Sequence, residues 1–256
     1  MISLTSCVWK LFHQILSDRI ANYMLLNKLI DPETQKAFLK GINGCMEHTF
    51  VMNELLANAR NKKRTLHATF FDLADAFGSV EHNLIHYTME RNGIPDPVCM
   101  YIKNLYSRLQ GEIKGPGWRS EPFSFRRGVF QGDPLSPIIF LAVFDPIIQH
   151  LKLKEETHGY CLEGKRYITL PFADDFCLLT PDKRKHQKLM TEILDLTSSM
   201  NLKLKPVKCK TLSIRSGSPD DCTFVIGDTT LQSVKDAPEK FLGSWIPSKA
   251  KPRLFL

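Results

Sequence analysis

PFADDFCLL, residues 171–179, sets two adjacent carboxylates, Asp174 and Asp175, between two apolar runs. The apolar runs read as strands and the Asp-Asp pair as the tight turn joining them. Taken alone the pair is ordinary, because Asp favours turns through side-chain bonds to the backbone. FFDLADAFGSV, residues 70–80, sets Asp72 where an earlier apolar strand runs out. The two stretches gain force together. A split βαββαβ sheet brings its first strand beside the hairpin and gathers three carboxylates at one sheet edge. Half-buried carboxylates repel one another and lose hydration, at a cost of several kcal/mol unless compensated. A divalent cation removes that penalty, and hard oxygen ligands suit Mg²⁺, which shares its shell with substrate phosphates. Two metals about 3.5–4 Å apart clamp the attacking and leaving oxygens of an in-line phosphoryl transfer.

The neighbouring segments predict the frame around these acids. Leu66, Ala68 and Phe70 alternate with His67, Thr69 and Phe71, a strand pattern. Val8, Leu11, Phe12, Ile15, Leu16 and Ile20 recur at helical spacing and predict an amphipathic first helix. A second helix is predicted from about Cys45 to Arg60. Ser79 reads as the N-cap of a helix that stops near Gly93, and another helix follows Pro95 and Pro97. Short strands flank the turn at 115–117. Asp133-Pro134 opens a long apolar helix, with Asp as N-cap and Pro at the first position. Tyr160–Leu162, Tyr167–Phe172 and Phe176–Thr180 read as strands, Asp182 caps a helix to about Met200, and short strands follow with a Gly227-Asp228 turn. The order is that of an α+β fold.

Composition bounds the function. The chain has 256 residues, 43% hydrophobic and 24% charged, which excludes wholesale disorder. The longest apolar run, Ile138 to Phe144, is too short to span a bilayer. The first ten residues carry no secretory signal, so an intracellular protein of nucleus or cytoplasm is expected, neither secreted nor in a membrane. Seven cysteines without a C-x-x-C pair point to reduced thiols rather than disulfides or a zinc ribbon. His82 and His86 are four apart with no third ligand evident and read as helix-surface positions. The net charge of +7 fits a polyanionic partner or simply a basic surface, and charge alone does not decide between them. Its basic residues cluster at Arg60, Lys62, Lys63 and Arg64, at Lys183 to Lys188, and at Lys203, Lys205, Lys208, Lys210 and Arg215.

RRGVFQGDPLSPIIF, residues 126–140, adds glycines at 128 and 132, where backbone can approach a ligand closely, and Gln131 near a helix N-terminus, which favours anions. An ordinary loop and helix cap reads equally well from these residues alone. In order and spacing, however, FFDLADAF, RRGVFQGDPLSP and FADD resemble the palm motifs of reverse transcriptases. The flavour is that of non-LTR (LINE-type) retrotransposons, similar also to group II intron enzymes. ISLTSCVWKLFHQILSDRI (2–20) and QKAF (35–38) resemble the family's first two fingers motifs. LKLKPVKCKTLSI (202–214) resembles the lysine-bearing motif after the active-site hairpin, and KFLGSWI (240–246) the primer grip.

The resemblance implies a right-hand polymerase: partial fingers over 1–65, a palm over 66–216 with inserted fingers elements at about 95–130, and primer-grip-like strands over 217–256. The antiparallel βαββαβ palm sheet would be backed by helices, and no room is left for a thumb. It implies RNA-templated addition of deoxynucleotides to a primer 3′-OH with two Mg²⁺ ions, for which Mn²⁺ can stand in. Asp72 and Asp174 would be the main metal ligands, with Asp175 beside them and the Leu73 carbonyl assisting. Phe77 would exclude the ribose 2′-OH. Gln131 and Gly132 would lie near the incoming nucleotide, and Lys208 near the leaving pyrophosphate as an acid. Lys10 and Arg19 would reach the triphosphate or template. Arg60, Lys62, Lys63, Arg64, Lys203, Lys205 and Lys210, with Phe241, Leu242 and Gly243 of the primer grip, would hold template and primer, largely through phosphates.

Four departures stand against the pattern. Met1 precedes Ile2 where the family has Arg-Pro, which predicts a start inside the fingers. Gly78 replaces a common second Asp, and Asp75 a common Lys or Arg. The chain ends in SKAKPRLFL soon after the primer-grip match, with no endonuclease or zinc-knuckle signature, as in a fragment or truncated copy. A catalytically inactive nucleic-acid-binding remnant is therefore the alternative. An RNA-dependent RNA polymerase shares the palm logic, but Phe77 disfavours it.

Overall fold

The computed structural model describes residues 6–234 and 240–246. The opening of the first fingers motif (2–5) and the whole C-terminal SKAKPRLFL stretch lie outside the described residues. The chain forms two compact units, each built from separate segments. One takes in the chain up to Ile30, Asp75–Val143 and Met200–Leu202; the other takes in Asp31–Ala74, Phe144–Ser199 and the chain from Lys203 onward.

The second unit is built on a mainly antiparallel sheet. Leu66–Phe71 lies at its centre, between Phe176–Thr180 on one side and Lys210–Arg215 on the other. Residues 168–169 run along the outer side of Phe176–Thr180, through a Thr169–Leu178 bridge and a 2.8 Å bond from the Leu179 N–H to the Ile168 carbonyl. Ser218–Pro219 and Gln232–Ser233 both pair with Lys210–Arg215, the latter in parallel. The two faces of the central strand diverge because successive side chains alternate. Leu66, Ala68 and Phe70 enter an apolar core with Met52, Leu55, Leu56 and Ala59 of the Gly44–Asn61 helix. His67 and Thr69 face the Lys183–Ser199 helix, which buries His186, Leu189, Met190, Ile193 and Thr197 at helical spacing. That helix is capped as expected: the Lys185 N–H donates to Asp182 Oδ1 at 2.8 Å.

Part of the predicted Tyr167–Phe172 strand is divided. Lys165–Tyr167 closes a hairpin with Tyr160–Leu162, and the next residues turn to the main sheet.

The first unit holds helices Cys7–Leu26, His82–Arg91 and Asp96–Arg108, with small hairpins between 110 and 124. Here the amphipathic reading of the first helix fails. Its buried residues are His13, Ser17, Ile20 and Met24, while Val8 is 79% and Leu11 64% exposed, and Phe12 and Ile15 are exposed as well. The physical reason is Asp133, which is buried just before the long Ser136–Lys152 helix. His13 Nδ1 meets its carboxylate at 2.7 Å and Trp9 Nε1 donates to it at 2.9 Å, while His13 Nε2 meets the Tyr101 hydroxyl at 2.6 Å. A buried carboxylate without partners costs more than a few exposed methyl groups, so the polar face turns inward. Asp133 also accepts the Leu135 N–H at 2.9 Å, but the helix opens at Ser136, so Asp133 closes the turn that leads into it and Pro134 does not take the first helical position. Ser79 is not an N-cap. Its hydroxyl donates back to the Asp75 carbonyl at 2.7 Å, and the next helix starts at His82 without a side-chain cap.

All seven cysteines are free thiols. Among the described residues no helix is long and apolar enough to cross a membrane.

Candidate active site

Three aspartates meet where the central strand and its neighbour end. The register pairs Phe71 with Phe176, so one residue further on Asp72 lies opposite Asp175. Asp175 belongs to a two-residue hairpin: Phe172 and Asp175 exchange backbone bonds of 2.7 and 3.1 Å, leaving Ala173 and Asp174 as the turn. Ala173 has φ of +56°, a left-handed conformation that hairpin turns normally give to glycine and that costs an alanine about 1–2 kcal/mol. Partial burial pushes the Asp174 carboxyl above the ordinary range; its own backbone N–H opposes this and Asp72 adds repulsion. Asp175 is raised too, by loss of water first, then by Asp174 and Asp72. The acids therefore repel one another, as expected of a cation site held open.

The other flank of Asp72 is zipped to residues 203–209. The Lys205 N–H donates to the Asp72 carbonyl at 2.8 Å and the Ala74 N–H to the Lys203 carbonyl at 2.7 Å, around a Leu73–Leu204 bridge. In such a ladder the intervening Leu73 carbonyl turns to the opposite side of the strand, the side of the Ala173-Asp174 turn. Cys209 accepts the Asp72 N–H on its Sγ at 3.4 Å, and burial pushes its thiol up to about 11. Asp72 Oδ1 is shielded and has no hydrogen-bond partner; Lys205 Nζ lies 3.9 Å from it. Lys208 is exposed on the 205–209 turn, so the lysine that reaches Asp72 is Lys205, read from sequence only as part of the nucleic-acid footprint.

These donors fit a hard divalent cation. An orphaned carboxylate oxygen and two neighbours with raised pKa values are what such an ion would relieve. The described residues nevertheless contain no group of three His, Cys, Asp or Glu side chains able to hold an ion by themselves. Mg²⁺ takes one or two carboxylates and completes its shell with water and substrate phosphates, so an all-protein cage is not required.

The hairpin turn has a support that sequence reading missed. Gln35 is buried, and its Oε1 accepts the N–H of Ala37 and of Ala173, both at 3.0 Å. His48 Nε2 lies 3.1 Å from the Thr34 carbonyl and 3.0 Å from the Pro171 carbonyl. Burial lowers the His48 pKa, so the ring is neutral and donates from Nε2. QKAF stands out in the sequence as a motif, but nothing local marks residue 35 as a partner of residue 173.

In the other unit Phe77 stacks on Phe140, with centroids 4.4 Å apart and planes 12° apart. Its carbonyl accepts the Val129 N–H at 2.8 Å. Gly128, at φ +93°, packs so tightly on Gly78 that an added Cβ would lie 2.9 Å from the Gly78 carbonyl oxygen. The Asp75 carboxylate fills the space a side chain at 78 would take, so the two departures from the family pattern accommodate each other. Gln131 and Gly132 are exposed before the long helix, as is Arg19 on the first helix, where Lys10 is half-buried.

Of the basic candidates in the sheet unit, Lys62, Lys63, Arg64 and Lys203 are exposed, and Arg60 and Lys210 half-buried. Arg64 donates to the Cys161 carbonyl at 3.3 Å and Lys210 to Gln232. Phe241 is a correction: its ring is buried against Phe70, 5.5 Å between centroids, so it serves the core. Leu242 and Gly243 form the tip of the Lys240–Phe241/Ser244–Trp245 hairpin.

Comparison with known proteins gives the family and the fold. A family model described as reverse transcriptase (RNA-dependent DNA polymerase) matches residues 1–246. The chain is 32% identical over 251 residues to the Retrovirus-related Pol polyprotein from type-2 retrotransposable element R2DM of Drosophila melanogaster, covering 94% of this chain and 23% of that protein. It is 30% identical over 213 residues to the corresponding R2 polyprotein of Nasonia vitripennis, covering 83% and 20%. The chain thus spans a quarter or less of these relatives. Among solved structures, telomerase from Candida tropicalis with a TWJ fragment of telomeric RNA superposes with a TM-score of 0.59 at 16% identity, over 84% of this chain and 36% of that one. The apo telomerase gives 0.58 at 12% identity, over 86% and 38%. At such identities the likeness is one of fold. With the family model matched over nearly its whole length, the chain belongs to the reverse transcriptase family.

Proposed function

We infer that this chain is the polymerase domain of a non-LTR retrotransposon protein and copies RNA into DNA by adding deoxynucleotides to a primer 3′-OH. The observation that carries the reading is the meeting of Asp72 with the Asp174-Asp175 turn on adjacent antiparallel strands, with mutual repulsion and an unpaired oxygen. Asp72, Asp174 and the Leu73 carbonyl would hold divalent cations, with Asp175 beside them. When bound, such ions lower the pKa of the 3′-OH and offset charge on the triphosphate. The primer oxygen bonds to the α-phosphorus as the bond to the β-phosphate bridge breaks, and pyrophosphate leaves. Lys205 and Lys208 are the candidates to neutralise or protonate that leaving group. Phe77 would reject ribonucleotides by shape, a discrimination that needs no hydrogen bond. Gln131, Gly132, Lys10 and Arg19 would address the nucleotide and template, and the basic blocks the phosphates of an RNA–DNA hybrid.

One observation favours the alternative of an inactive remnant: among the described residues no three His, Cys, Asp or Glu side chains form a ready ion cage. A primed RNA template offered with dNTPs or rNTPs, against an Asp174→Asn control, separates the readings. Extension by dNTPs that the substitution abolishes supports polymerisation. Binding without extension supports the remnant, and extension by rNTPs an RNA polymerase.

A further inference from the structure

The geometry points to Gln35 as a positioning residue that holds the Asp174-Asp175 turn in register, through a single hydrogen bond to the strained residue before it. The inference rests on the proposed reaction, but its structural part is independent of that reaction.

Ala173 must keep φ at +56° for the turn to present Asp174, and it has no glycine freedom to help. Its N–H is satisfied only by the Gln35 amide oxygen, at 3.0 Å, among the described residues. Gln35 is itself locked. The same oxygen takes the Ala37 N–H, the Gln35 N–H donates to the Asp31 carbonyl at 2.8 Å, and the side chain is buried. Two residues earlier in the hairpin, the Pro171 carbonyl receives His48 Nε2 at 3.0 Å and the Lys36 N–H at 3.4 Å. The segment 34–37 therefore grips the first arm of the turn at both 171 and 173. Asp174 contributes nothing to this grip. Its carboxylate stays available while its backbone is set from below, an arrangement suited to a ligand that must not drift by even an ångström.

Gln35→Met keeps length and removes the acceptor, so the amide of Ala173 loses its partner without a cavity being opened. Amide hydrogen exchange should accelerate about tenfold at residues 173–175 and stay unchanged in Leu66–Phe71 and Lys210–Arg215. In primer extension kcat should fall about tenfold, with the KM for dNTP and template–primer affinity within about twofold of the parent chain. Adding Ala173→Gly supplies the left-handed conformation without strain and should restore at least half of the lost kcat on a logarithmic scale. A packing role would predict exchange rising across the whole sheet and no rescue by glycine; either result overturns the proposal, as does unchanged exchange at 173–175. If the parent chain extends no primer, the proposed function fails, while the exchange measurement still decides whether Gln35 holds the turn.

Discussion

Two polar regions share the same three strands and are managed in opposite ways. Beneath the Lys183–Ser199 helix, His67, Thr69, Thr180, Ser213 and His186 form a buried network in which the polar side chains have partners. His186 lies 2.8 Å from the Thr69 hydroxyl and 3.0 Å from that of Thr180, and His67 lies 2.9 Å from Ser213. At the strand ends, Asp72, Asp174 and Asp175 face one another with an oxygen left unpaired. Burial alone does not separate structure from function. A satisfied network stabilises one packing, whereas unsatisfied like charges store repulsion that only a ligand removes.

The largest test of this contrast is Asp174→Asn. It should lower primer extension on the order of 10³-fold or more, the scale of losing several kcal/mol of charge stabilisation. The same change should leave the thermal midpoint equal or higher, because it relieves repulsion; a marked drop would mean the acids stabilise the fold instead. His186→Ala should do the reverse. It leaves a cavity and takes one partner each from the Thr69 and Thr180 hydroxyls, costing about 2–4 kcal/mol in urea denaturation, with kcat per folded molecule nearly unchanged.

Titration gives opposite signs at the two regions. Burial holds His186 well below 6.5 and lowers His67, so the unfolded chain binds protons first as pH falls through about 6.5. Their contribution is complete above that value and is lost toward their lower folded values. Asp174 and Asp175 are raised, so the folded chain binds protons first, and their repulsion costs stability as pH rises above about 4. Denaturation between pH 7 and 5.5 should show stability falling with acid. His186→Phe should flatten that fall.

The smallest effect is expected on the first helix, where Leu11→Gln should change stability by no more than about 0.5 kcal/mol. His13→Ala should cost far more, about 2–3 kcal/mol, by leaving Asp133 short of a partner. The reverse ranking would restore the amphipathic reading of that helix.

By itself the sequence determined the strand of residues 66–71, a carboxylate-bearing hairpin ahead of the Phe176–Thr180 strand, the Asp182 cap and the family. Each depends on neighbours a few residues apart or on a motif read in order. The tertiary structure alone decided which face of the first helix is buried, that Phe241 belongs to the core, that Lys205 reaches Asp72, and that Gln35 supports Ala173. Each of these turns on a partner far along the chain, and periodicity measures hydrophobicity without seeing a distant carboxylate or amide. Where one buried polar group needs another, that demand outweighs local pattern, because an unpaired charge or amide costs more than an exposed apolar side chain.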